Sequence, residues 1–199
     1  MIKFIIPDRF LSVDYEKDVP EAIKDVVGKF KTERKGLYLH GNAGTGKTHV
    51  AYAICKHLSD KGIAVRAFKV IDVLKMIRDD MDFKNNDRDL NYHGDRHFGD
   101  INSNYHTDFL DGINKYKSVV FLDDLGTEKE TEWAHQTLYE IIDKKYEDFL
   151  PVIITSNLSP SELGNKMGDR IASRIVEMCE IFEMTGIDKR LAKNLNQNE

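Results

Sequence analysis

Gly41-Asn42-Ala43-Gly44-Thr45-Gly46-Lys47-Thr48 fits the pattern G-x-x-x-x-G-K-[ST] without a gap. Its flanks constrain the fold further. Leu37-Tyr38-Leu39 before it is a short apolar run that reads as a buried strand. Lys47 to Ser59 after it carries Val50, Ala51, Ile54 and Leu58 at helical spacing, and Gly62 then offers a stop. A glycine-rich turn between a strand and a helix lets successive backbone N–H groups curl around phosphate oxygens, aided by the positive end of the helix dipole. In such a loop Gly41, Asn42, Ala43, Gly44, Thr45 and Gly46 form the cradle. Lys47 reaches the β- and γ-phosphates, and Thr48 offers its hydroxyl to Mg²⁺. The expectation is ATP with Mg²⁺; the motif does not fix the reaction.

The rest of the chain repeats the same rhythm. Ile63 to Val70 is extended, and Ile71, Leu74 and Ile77, with Val73 and Met76 beside them, mark a helix. Ser118-Val119-Val120-Phe121-Leu122 is a fully apolar strand. Thr131 to Phe149 predicts a long helix with Ala134, Leu138, Ile141, Ile142 and Phe149 on its inner side. Val152-Ile153-Ile154-Thr155 is a further strand, and Ser159-Pro160-Ser161-Glu162 starts a helix with an N-cap, a proline and a returning glutamate. Apolar strands alternating with helices give an α/β fold with a parallel sheet covered on both faces. Residues 81–104 interrupt the rhythm with a polar stretch rich in Asn, Asp and Gly, expected to be a structureless insert. Residues 194–199 read as a frayed tail.

Two further positions carry chemistry. Asp123-Asp124 end an apolar strand, where open parallel sheets bind their ligands. Asp123 is placed to orient the Mg²⁺ shell, and Asp124 to polarise a water facing the γ-phosphate. Thr155-Ser156-Asn157 ends the next strand, so Asn157 is placed to hold that water or a γ-oxygen.

These motifs resemble the AAA+ ATPases, and more narrowly the DnaC/DnaI helicase loaders and the IstB transposition helpers. The resemblance rests on Ile6-Pro7-Asp8-Arg9-Phe10, the loop at 41–48, Leu122-Asp123-Asp124-Leu125-Gly126, Ile154-Thr155-Ser156-Asn157, and Gly168-Asp169-Arg170-Ile171-Ala172-Ser173-Arg174 followed by Asp188-Lys189-Arg190. It runs over nearly the whole chain in family order. It implies a P-loop NTPase of the AAA+, ASCE type, with a five-stranded parallel sheet and helices on both faces. Residues 1–35 are then a short N-terminal segment contributing to the nucleotide site, and residues 36–193 the ATPase core. Phe10 falls in the adenine-contacting stretch. Arg174 matches the arginine finger that acts on a neighbouring subunit's ATP, with Arg170 one turn earlier as its substitute. Arg190 matches the sensor-2 arginine. Thr131 and Trp133 match positions that contact single-stranded DNA in the loaders. Expected partners are single-stranded DNA, a hexameric replicative helicase or a transposase, and further copies of the chain in a ring or spiral.

The chain departs from that family in two ways. A partner-gripping N-terminal module is not evident in the roughly 35 residues before the first strand, which carry a modest basic cluster at Lys29, Lys31, Arg34 and Lys35. Asp124 stands where most AAA+ enzymes use glutamate, a replacement the loader family often shares, and the shorter acid predicts slow hydrolysis.

Composition removes other classes. Net charge is −5 from 29 Lys+Arg and 34 Asp+Glu, which argues against a protein that coats polyanions. Arg66, Lys69, Lys75 and Arg78 are balanced by neighbouring aspartates. Cys55 and Cys179 are far apart and form no metal or disulfide pattern, as expected of a cytoplasmic protein. No apolar run approaches a membrane span, and the first six residues are too short for a signal peptide. His93, His97, Asp100 and His106 are separated by Gly94 and Gly99, which oppose the helix a metal site of that spacing requires. The remaining functions are a nucleotide-driven DNA machine, a P-loop kinase and a non-hydrolysing ATP-gated adaptor. The mixed-charge insert and the presence of Asn157 and Arg174 disfavour the kinase.

Overall fold

The computed structural model describes residues 6–30, 32–87 and 118–186. A single turn of 3-10 helix at Asp8–Phe10 and helices α1 (Tyr15–Asp18) and α2 (Glu21–Gly28) precede β1 (Gly36–His40) and α3 (Lys47–Asp60). β2 (Val65–Lys69), α4 (Val70–Asp87), β3 (Val119–Leu125), α5 (Glu132–Glu147) and β4 (Val152–Ser156) follow, then α6 (Pro160–Met167), α7 (Asp169–Met178) and β5 (Cys179–Glu183). The five strands form one parallel sheet in the order β2-β3-β4-β1-β5.

The side-chain period of two sorts each strand between two cores. Leu37 and Leu39 of β1, Val119 and Phe121 of β3 and Ile153 of β4 pack with α1, α2 and α3. Tyr38, Val120, Leu122, Val152 and Ile154 face the opposite layer, built from α4, α5, α6 and α7. Both faces are therefore covered, as a continuous apolar strand pattern requires. Val13, Val19, Ile23, Val27 and Phe30 of the N-terminal segment are buried in the first core, so this segment is part of the fold and not an appendage.

Local signals act as read at several boundaries. Ser159 accepts from the Glu162 N–H while the Glu162 carboxylate accepts from the Ser159 N–H, completing a capping box with Pro160 in the first turn. Thr131 caps α5 by accepting from the Ala134 N–H at 3.2 Å.

Three expectations change. α4 continues to Asp87, so the first seven residues of the expected insert at 81–104 are helical; the remainder lies outside the described residues. Ile71 and Met76 are exposed, and Val70, Val73, Leu74 and Ile77 form the buried stripe of α4. α5 stops at Glu147, so Phe149 lies beyond it at a φ of 50° and is 68% exposed. Lys145, one turn after Ile141, takes the inner place and is fully buried. Glu180 and Glu183 belong to the edge strand β5, and Glu180 pairs with Lys35 at 2.8 Å. Among the described residues no helix is long and apolar enough to cross a membrane.

Candidate nucleotide-binding site

The carboxyl ends of β1, β3 and β4 converge on one cavity of about 670 Å³. β1 delivers the chain into Gly41, whose φ is +134°. A Cβ there would lie 2.3 Å from the Met184 carbonyl oxygen, so the approach of the segment after β5 admits only glycine. Gly44 and Gly46 also hold positive φ, and α3 begins immediately afterwards at Lys47. The first N–H groups of α3 have no partner within the helix and carry its positive dipole end.

Lys47 is only 5% exposed and lies across the mouth of the loop. Its Nζ donates to Gly41 O at 2.7 Å, Asn42 O at 2.8 Å and Asn157 Oδ1 at 2.9 Å. The turn after β4 therefore meets the glycine-rich loop through one cation. Thr45 Oγ1 donates to Asn42 O at 3.0 Å, stiffening the loop from within.

The acids stand on the other wall. Thr48 Oγ1 donates to Asp123 Oδ1 at 2.8 Å, and Thr155 Oγ1 donates to the same oxygen at 2.7 Å. Asp123 is 3% exposed. Burial pushes its carboxyl above the usual range, the two hydroxyls pull it back, and the neighbouring Asp124 charge raises it further. Asp124 is partly exposed, lines the cavity and has a φ of 60°. Thr127 Oγ1 donates to its carbonyl at 2.8 Å.

A third wall is aromatic. Phe10 stacks on Tyr52 with centroids 4.4 Å apart and planes 18° from parallel, and Tyr52 meets Phe121 edge-on at 5.2 Å. The Arg9 guanidinium lies 5.6 Å from the Phe10 ring centre. Burial, with the Asp123 charge behind it, raises the Tyr52 hydroxyl to about 12, so it remains a neutral phenol.

These features fit Mg²⁺ and a triphosphate. The cradle is glycine-shaped, a buried cation points into it, and the hydroxyl and carboxylate that already touch are hard oxygen donors of the type Mg²⁺ selects. Thr48 and Asp123 would hold the ion, and the loop amides with Lys47 would hold the phosphates.

The remaining predicted residues fall elsewhere. Arg174 on α7 does not line the cavity. It is ion-paired with Asp143 of α5, and its guanidinium lies 5.0 Å from the Tyr139 ring centre and 5.3 Å from that of Tyr146. The hydrogen bond from Arg174 to Asp143 raises the arginine further above its ordinary range. Trp133 packs against the core beneath α5, and the Arg78 guanidinium sits 4.8 Å over its ring. Arg190, with Asp188 and Lys189, lies outside the described residues, as do His93, His97, Asp100 and His106. Among the described residues no group of His, Cys, Asp and Glu is arranged to hold a metal.

Sequence reasoning missed Tyr52, Lys69, Thr127 and His49, all of which line the cavity. Tyr52 was findable: it lies four residues after Thr48 on one helix, and this spacing places both on one face. Lys69 was findable from topology, because the β2 end lies beside Asp123 in the sheet register.

The model of the AAA family, ATPases associated with various cellular activities, matches residues 37–177. Among curated proteins, the chain is 26% identical over 130 residues to the replicative helicase loader DnaI of Bacillus subtilis, covering 65% of this chain and 35% of that protein. It is 23% identical over 152 residues to the replicative helicase loader DnaC of Escherichia coli, covering 76% and 54%. It is 29% identical over 129 residues to a putative ATP-binding protein in an insertion sequence of Mycobacterium tuberculosis, covering 64% and 42%. The chain thus spans about a third to a half of the length of these relatives. The crystal structure of a DnaC helicase loader superposes with a TM-score of 0.72 at 26% identity, covering 90% of this chain and all of that one. A five-stranded parallel sheet, a phosphate cradle built at its carboxyl edge, and a family match over more than half its length lead to one assignment: the chain belongs to the AAA family of ATPases.

Proposed function

We propose that this protein binds and hydrolyses ATP and uses the cycle as a helicase loader on single-stranded DNA. The observation that carries the reading is the contact of Thr48 with Asp123 at 2.8 Å, in the cavity where Lys47 bridges the loop to Asn157. A phosphate cradle, a metal-binding oxygen pair and a second acid in one cleft are the parts that phosphoryl transfer to water requires.

The loop amides and Lys47 hold and neutralise the phosphate oxygens, and Phe10 with Tyr52 supplies an aromatic wall for the base. Bound Mg²⁺ would supply charge neutralisation on the β- and γ-phosphate oxygens. Asp124 takes the proton of the attacking water as general base, and Asn157 orients that water or a γ-oxygen. The short Asp124 side chain reaches less far than glutamate and favours a slow chemical step. Arg174 acts in trans on the nucleotide of an adjacent copy and Arg190 in cis. Hydrolysis then depends on assembly into a ring or spiral.

Similarity to replicative helicase loaders supports a hexameric helicase as the client. Thr131 and Trp133 are the proposed DNA contacts. Because Trp133 is partly packed and covered by Arg78, stacking on a base requires Arg78 to move aside. The insertion-sequence relative favours one alternative, a transposition helper acting on a transposase. The test is phosphate release with and without single-stranded DNA, followed by a pull-down with ATP and DNA. Retention of a hexameric helicase and DNA-stimulated release support the loader, whereas retention of a transposase supports the helper. Nucleotide binding without any release favours a non-hydrolysing adaptor.

A further inference from the structure

Asp123 and Asp124 do not stand on a regular strand. β3 and β4 stay in register as far as Leu122 opposite Ile154, then resume with Leu125 opposite Ser156. Two residues of β3, Asp123 and Asp124, thus oppose one residue of β4, Thr155, which is a β-bulge. Bulges re-aim side chains and break the hydrogen-bond ladder locally. Asp124 adopts a φ of 60° there, a region uncommon for residues with a Cβ and entered more readily by aspartate than by most.

Thr155 is the residue opposite the bulge. Its Oγ1 accepts the Asp124 N–H at 3.0 Å and donates its single proton to Asp123 Oδ1 at 2.7 Å. A hydroxyl can do both at once, because it has one hydrogen and two lone pairs. Thr155 is fully buried. Val152, Ile153 and Ile154 before it are purely apolar, and Ser156 after it, the other hydroxyl of β4, donates to Leu125 O at 2.6 Å on the far side of the bulge.

We propose that Thr155 is a positioning residue whose one hydroxyl sets both acids. It fixes Asp123 toward Thr48 and holds the left-handed turn that aims Asp124 into the cavity. The inference rests on the ATP-hydrolysis reading above and adds to it a residue that never touches the nucleotide. Nucleotide binding is carried by the glycine-rich loop and Lys47, so loss of the hydroxyl slows the chemical step and leaves binding in place.

The experiment compares Thr155→Val, Thr155→Ala and Thr155→Ser with the wild-type chain. Two quantities are read: the Kd of a fluorescent ATP analogue with Mg²⁺, and the single-turnover rate of ATP hydrolysis. Val and Ala should keep Kd within about threefold and lose at least about tenfold in rate, whereas Ser should stay within about threefold of wild type on both. Ala gives the same reading if Val does not fold. The proposal is overturned by a hydroxyl-free variant within twofold of the wild-type rate, by Ser being as slow as Val, or by Kd rising in step with the loss of rate. Wild-type protein that binds Mg²⁺-ATP without hydrolysing it overturns the functional reading and this inference with it, and that outcome is seen before any variant is compared.

Discussion

Lys47 is the residue whose removal has the most calculable consequence. Its ammonium is nearly inaccessible and donates to three neutral oxygens at 2.7, 2.8 and 2.9 Å. A unit charge about 4 Å from a phosphate charge, at an effective dielectric of about 20, is worth about 4 kcal/mol. A net charge-assisted hydrogen bond is worth about 1.5 to 3 kcal/mol after exchange with water. Taking about 3 kcal/mol for Lys47→Ala predicts a loss of about two decades in ATP affinity, roughly 100-fold. ADP affinity should fall less and AMP affinity hardly at all, because the ammonium is aimed at the outer phosphates. Lys47→Arg should not rescue, since a planar fork cannot occupy the compact space between Gly41 O, Asn42 O and Asn157 Oδ1. The assay is competitive titration of the three nucleotides against a fluorescent analogue at fixed salt and Mg²⁺. An ATP affinity within threefold of wild type would refute the charge argument. Equal losses for AMP and ATP would show that the loop itself had collapsed.

Three other outcomes follow from particular residues. Asp124→Asn should leave nucleotide affinity within about threefold and lower hydrolysis by at least about 100-fold, as read by phosphate release; unchanged turnover would remove Asp124 from its role as base. Gly36→Ala should destabilise the fold by about 3 kcal/mol or more in urea unfolding, because the new Cβ would lie 2.3 Å from Val152 O and 2.9 Å from Val152 N at the join of β1 and β4; a loss under about 1 kcal/mol would mean that the two strands separate without cost. Lys145 is pushed down to about 8 by burial, with the nearby Arg66 charge acting in the same direction against Asp148. Between about pH 8 and 10.5 the unfolded chain then holds a proton that the folded chain lacks, so folding stability should rise with pH across that window, by on the order of 1 to 3 kcal/mol. Lys145→Met should flatten the rise in denaturation midpoint, and an identical slope in both proteins would contradict the assignment.

The site was legible in the sequence wherever local chemistry and local structure coincide. A glycine-rich loop needs its glycines at fixed places, and Val119–Leu122 and Val152–Ile154 announce themselves as buried strands because nothing polar interrupts them. The capping box at Ser159 and Glu162 is legible for the same reason: both partners lie within one turn. What escaped was set by distance in sequence. Asp143 lies 31 residues from Arg174, and no pattern on either helix indicates that they meet. β5 carries Glu180 and Glu183 within five residues, so no uninterrupted apolar run announces it, and its place as an edge strand beside β1, with Glu180 reaching Lys35, is set by contacts distant in sequence. Lys145 and Phe149 exchanged places because the helical spacing was followed one turn too far, past the end of α5. The bulge at Asp123–Asp124 was invisible in the apolar run before it, since a register shift depends on the partner strand.

The most direct test is a structure of the protein with a non-hydrolysable ATP analogue and Mg²⁺. The account predicts a triphosphate wrapped by residues 41–48, Lys47 turned to its outer phosphates, an ion shared by Thr48 and Asp123, and Asp124 facing the terminal phosphate. A nucleotide bound elsewhere, or a triphosphate in the cradle with both aspartates turned away from it, would contradict that account.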